Sequence, residues 1–157
     1  ALFRFRAGCL TAGVQPDLPA TRPLQPDLAR IIEGQSRVLA GDPRSGVTAL
    51  ERARHDAPED RFLLASLGWA YGVAGRPRDA RRVLAVLERD RMGQPLRPFL
   101  LAKVHAGLGD ADQAFAWLAR AVAERDPLAI MMKSDATVAS LREDPRFAEL
   151  LARMGLA

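Results

Sequence analysis

The sequence predicts an all-α fold: a right-handed superhelical stack of three helix pairs with C-terminal capping helices. Three observations carry that prediction. Glycine recurs at 41, 75 and 109, and leucine at 50, 84 and 118, each at intervals of 34 residues. Ala111, Ala114, Leu118 and Ala121 recur at three- and four-residue spacing, which puts them on one face of a helix. The chain is 48% hydrophobic, and much of it is Ala, Leu and Arg, which favour helix. A repeat of this length accommodates two short helices that bury their apolar faces only against a neighbouring copy.

Residues 1–26 contain Pro16, Pro19, Pro23 and Pro26 and no sustained period. They read as a proline-containing linker or extended segment, because proline fixes φ and restrains the residue before it. Leu2, Phe3 and Phe5 are candidates to dock on the first repeat. The repeat domain follows over 27–157, with units at about 27–60, 61–94 and 95–128 and a cap over 129–157. In the first unit Asp27 is a candidate helix cap, and Gly41 ends the first helix. Asp42 caps the second, and Pro43 takes its first position, where a missing N–H is harmless. Glu33 and Arg37 replace the apolar residues of later copies, as a terminal unit allows. The second unit is the clearest. Leu64, Leu67, Gly68, Tyr71 and Ala74 form one stripe, Gly68 admits a close partner helix, and Ala80, Val83, Leu84 and Leu87 face them. The third opens at Pro95 and Pro98, runs through Leu101, Ala102, Val104 and Leu108, and turns at Gly109 and Asp110. Beyond Asp126-Pro127 the period is lost. Leu128, Ile130, Met131 and Met132 make a short apolar segment, read as capping core with a soft docking patch as the alternative. Asp144-Pro145 opens a last helix with Phe147, Leu150, Leu151 and Met154 on one face, suited to closing the array.

Composition narrows the function classes. The net charge is +4, and of the 23 basic residues only Lys103 and Lys133 are lysines. Half the excess charge lies in residues 1–26, through Arg4, Arg6, Arg22 and Asp17. The repeats therefore lack the clustered charge of a nucleic-acid footprint. No apolar run approaches the roughly 20 residues of a membrane span. Cys9 is the single cysteine, so no internal disulfide or Cys-based metal motif exists, and a reducing, cytoplasmic setting is expected. Arg6-Ala7-Gly8-Cys9 lacks the apolar run that precedes a lipoprotein site, and the first residues lack that of a signal peptide.

Catalysis needs groups that converge, and none are legible. His105 occupies the tyrosine-like position of the third unit, and His55 lies near a helix end that favours a cation. Gly72-Val73-Ala74-Gly75 lacks the Lys-Ser/Thr of a phosphate loop. No serine stands in a nucleophile elbow. No enzyme, cofactor or metal is expected.

Leu67-Gly68-x-x-Tyr71, Gly75, Ala80 and Leu84, with Ala102, Gly109, Ala114, Leu118 and Ala121, resemble the tetratricopeptide signature over about 27–128. Pro58 and Pro127 stand at or beside the proline that closes such a unit. Glu124-Arg125-Asp126-Pro127 and the run Leu141-Arg142-x-Asp144-Pro145-Arg146-Phe147-x-x-Leu150-Leu151 are similar to the extreme C-terminus of many bacterial multidomain regulators. The resemblance implies a scaffolding module that binds a peptide or helix in a groove lined by the first helix of each unit. It places Ile31, Gln35 and Val38, then Phe62, Ala65, Trp69 and Val73, then Leu96, Phe99 and Lys103 on that groove. Trp69 is the expected hot spot. Lys103 alone fits the basic set that holds a peptide carboxylate, so an apolar ligand is expected, with self-association as an alternative. Two other readings compete. One is the regulatory domain of an enzyme, such as a protein kinase or cyclase, whose catalytic module is absent from these residues. The other is weak nucleic-acid binding through Arg76, Arg78, Arg81 and Arg82.

Overall fold

The computed structural model describes residues 26–89 and 95–156. Among them the chain forms α1 (Pro26–Leu39), α2 (Pro43–Asp56), α3 (Arg61–Val73), α4 (Pro77–Glu88), α5 (Pro98–Leu108) and α6 (Ala111–Ala123). Two 3₁₀ segments, Pro127–Lys133 and Ala136–Leu141, lead to α7 (Pro145–Arg153). The described residues are all-helical and contain no strand. The linker residues 1–25, with Leu2, Phe3, Phe5 and Cys9, lie outside them.

The turns follow from local chemistry. Gly41, Gly75 and Gly109 sit at φ 89°, 72° and 75°, so the 34-residue glycine period is a period of left-handed helix ends. Asp42, Asp60, Asp110, Asp126, Asp135 and Asp144 each accept backbone N–H groups at the start of the following helical segment. α1 corrects one expectation. It begins at Pro26, so Asp27 lies inside the first turn instead of capping it, because proline at the first position has φ pre-set for helix.

Helices pair within each unit, α1 with α2, α3 with α4 and α5 with α6, and each second helix packs on the next unit's first, α2 on α3 and α4 on α5. The first helices also meet, α1 with α3 and α3 with α5. α3 and α5 approach closely. A Cβ on Gly72 would stand 2.4 Å from the Gly107 carbonyl carbon, and one on Gly107 would stand 2.4 Å from the Trp69 carbonyl oxygen. Two helix backbones touch there because neither carries a side chain at the crossing. Gly68 admits Val83 and Val104, as its place in the stripe predicts.

The apolar stripes meet in three connected clusters. Ile31, Val38, Val47, Leu50, Leu63 and Leu67 join the first two units. Leu64, Val83, Leu84, Leu87, Leu101 and Val104 join the second and third. Phe115 and Leu118 gather Met132, Val138, Leu141, Phe147 and Leu150 from the tail. α7 packs on α6, and the second 3₁₀ segment packs on α5. The tail therefore covers two surfaces of the last unit instead of one.

Candidate functional site

α1, α3 and α5 share a face, and a row of polar side chains crosses it. Gln35 Nε2 on α1 donates to Ser66 Oγ on α3 at 2.9 Å. Ser66 Oγ donates to the Phe62 carbonyl at 2.9 Å, the i−4 bond open to a helical serine. Lys103 Nζ on α5 donates to Ser66 Oγ at 3.5 Å. The same ammonium lies 3.9 Å from the centre of the Phe62 ring and 3.2 Å from Asp135 Oδ2. The Lys103 and Asp135 side chains form a buried ion pair. Asp135 Oδ1 accepts from the Thr137 N–H at 2.9 Å and the Thr137 hydroxyl at 2.7 Å.

The electrostatics follow from burial. Lys103 is 0% exposed. Loss of hydration pulls its pKa below the usual lysine range, against the opposing pull of Asp135. His105 is likewise lowered by burial, with the Asp110 carboxylate 3.7 Å away working the other way. Tyr71 moves upward to about 12, first through burial and then through its hydrogen bond to Glu51.

The predicted groove residues separate by exposure. Trp69, Phe99 and Lys103 are buried, as are Ile31, Val38 and Ala65. Trp69 belongs to the cluster that joins the first two units, so its ring holds the array together and offers no surface to a ligand. Lys103 is covered because the tail brings Asp135 onto it. Gln35, Phe62 and Leu96 are half-buried, and Val73 is 45% exposed. Leu28, at 40% exposure, was not among the predicted positions. It lines an open cleft of about 890 Å³ with Phe62, Leu100, Leu128, Met131 and Arg61.

Asp126 and Asp135 are the residues that sequence reading missed. Asp126 Oδ2 accepts the Phe99 N–H at 3.1 Å and Oδ1 accepts the Leu128 N–H at 3.0 Å. It thereby caps α5, whose own flanking residue Arg97 makes no side-chain cap, and opens the first 3₁₀ segment. Asp-Pro and Asp-x-Thr are legible as local turn signals, but their distant partners are not.

The arginines named for nucleic acid are partly engaged. Arg76 pairs with Glu51 and Asp79 and lies 4.4 Å from the centre of the Tyr71 ring, and Arg82 pairs with Asp79. Among the described residues no cluster of His, Cys, Asp and Glu has the makings of a metal site, and no helix is long and apolar enough to cross a membrane. Comparison with protein families, with curated proteins and with solved structures returns no match.

Proposed function

We propose that this chain is a non-catalytic protein-interaction module of the tetratricopeptide type, serving a bacterial regulatory or signalling protein, and that it binds an apolar peptide or helix. The observation that carries the reading is the cleft between α1, α3 and the tail. Leu28, Phe62, Leu100, Leu128 and Met131 give it apolar walls, and a concave, apolar opening is where a peptide side chain is best removed from water. The 34-residue period of glycine-ended helices and the resemblance of the second and third units support the family assignment. The cations beside the cleft are engaged, Lys103 with Asp135, Arg97 with Asp126 and Arg61 with the Leu87 carbonyl, which supports an apolar ligand.

The test is a pull-down from source-cell lysate with the wild-type chain and Met131→Glu side by side, read by mass spectrometry. Met131 is half-buried on the cleft wall, and a carboxylate there opposes an apolar ligand. A protein held by the wild type and lost by the variant supports the cleft. Identical captures overturn it.

A further inference from the structure

We propose that α1 pairs with α1 of a second copy of this chain, antiparallel, through the face made by Ala29, Ile32, Ser36 and Leu39. All four side chains are exposed, with Ile32 at 47% and Leu39 at 53%. Their spacing of three, four and three residues places them on one side of the helix.

The later units show what such a face ordinarily does. One period on, Leu63, Ser66 and Ala70 of α3 hold the places of Ala29, Ile32 and Ser36, and all three are fully buried. Two periods on, Leu100 and Val104 of α5 hold the places of Ile32 and Ser36 and are also buried. Val104 lies against Gly68 of the preceding pair. Val73, at the place of Leu39, is 45% exposed, so what rests on the unit before in α3 and α5 is the part of the face that matches Ile32 and Ser36. α1 is the first described helix, and its copy of the face is open.

The sequence points away from a further helical unit as the cover. A preceding unit would set its second helix one period before Pro43–Asp56, at residues 9–22, and Pro16 and Pro19 fall inside that span. Proline in a helix interior removes a hydrogen bond and clashes with the previous turn.

The face is complementary to itself. In an antiparallel pair centred at Gly34, Leu39 meets Ala29 of the second copy and Ile32 meets Ser36. Each large side chain faces a small one, which lets the two helices interdigitate. A two-fold pairing sets every residue of the patch against the same patch, so a charge on it would repel its own copy. None is present. The described charged residues of α1 are Arg30, Glu33 and Arg37, and they lie off the face. Arg30 pairs with Asp56 of α2, and Glu33 pairs with Arg37.

Sedimentation equilibrium of the full chain over a wide concentration range tests the pairing. The wild type is expected to approach twice the 17.1 kDa of one chain. Ile32→Glu, at a half-exposed position, is expected to keep its helical circular dichroism and sediment as a monomer, while Met131→Glu on the cleft remains a dimer. A wild type that stays monomeric, or an Ile32→Glu variant that still dimerises, overturns the proposal. Register is read by mixing Cys9→Ser/Ala29→Cys with Cys9→Ser/Leu39→Cys under mild oxidation. A preferred mixed disulfide supports the antiparallel arrangement, and disulfides confined to like variants overturn it.

Discussion

At the scale of single residues, glycine substitutions separate backbone from side-chain crowding. A Cβ at Gly107 meets the Trp69 main chain, at 2.4 Å from O and 2.7 Å from Cα. At Gly68 it meets the side chains of Val83 and Val104, at 2.7 and 2.8 Å. Side chains yield more readily than a helix backbone. Gly107→Ala is therefore expected to lower the urea midpoint further than Gly68→Ala, with the latter near the ~1–3 kcal/mol of ordinary overpacking. The reverse ranking would contradict the α3–α5 crossing. Tyr71 is the only tyrosine in the chain, so its titration is directly visible in the ultraviolet. The phenol is expected to ionise near pH 12 instead of 10. Its pKa is raised on folding, so the stability it contributes is complete below pH 10 and lost as pH rises through about 12. Glu51→Ala is expected to bring the titration part of the way back, because burial is the larger cause. An ordinary tyrosine titration in the folded wild type would place the side chain in solvent.

At the scale of elements, two aspartates of the tail decide how α5 is held. Asp126 caps both α5 and the segment that follows it. Asp126→Ala should cost about 0.5–2 kcal/mol for each cap lost, measured by urea denaturation. Asn keeps the acceptor and should recover most of the loss. Asp135→Ala is the more severe change. It leaves the Lys103 ammonium buried with only the Ser66 hydroxyl and the Phe62 ring, and breaking a buried pair typically costs about 3–5 kcal/mol. Replacing both partners by apolar residues, as in Lys103→Met with Asp135→Leu, should be milder than Asp135→Ala alone. A double variant as unstable as the sum of its singles would mean that the pair is not coupled.

At the scale of the whole molecule, α7 covers the last unit, while α1, the first described helix, leaves Ile32 and Leu39 exposed. Phe147 and Leu150 of α7 are buried against the last cluster with Phe115 and Leu118. Burying a side chain of that size contributes about 1.5–3 kcal/mol. Ending the chain before Asp144 should therefore lower the thermal midpoint and promote aggregation, read by calorimetry and light scattering. An equally stable, monodisperse truncation would show that α7 is no cap. The exposure of Ile32 and Leu39 on α1 is the reason to look for self-association there.

What the chain alone declared was its periodicity. Helix spacing, glycines at 41, 75 and 109, aspartate caps and a closing apolar helix are local signals, because each depends on backbone geometry within a few residues. The resemblance also named a face for the first helices, and of its residues Gln35 and Phe62 are half-buried and Val73 is exposed. Which of its residues stay open was not legible. Trp69 is buried where units one and two join, and Lys103 is buried because Asp135 reaches it from the tail. Both outcomes depend on contacts tens of residues apart and on how closely α3 and α5 approach at Gly72 and Gly107. No local pattern encodes such contacts, since burial belongs to the packed array and not to the residue.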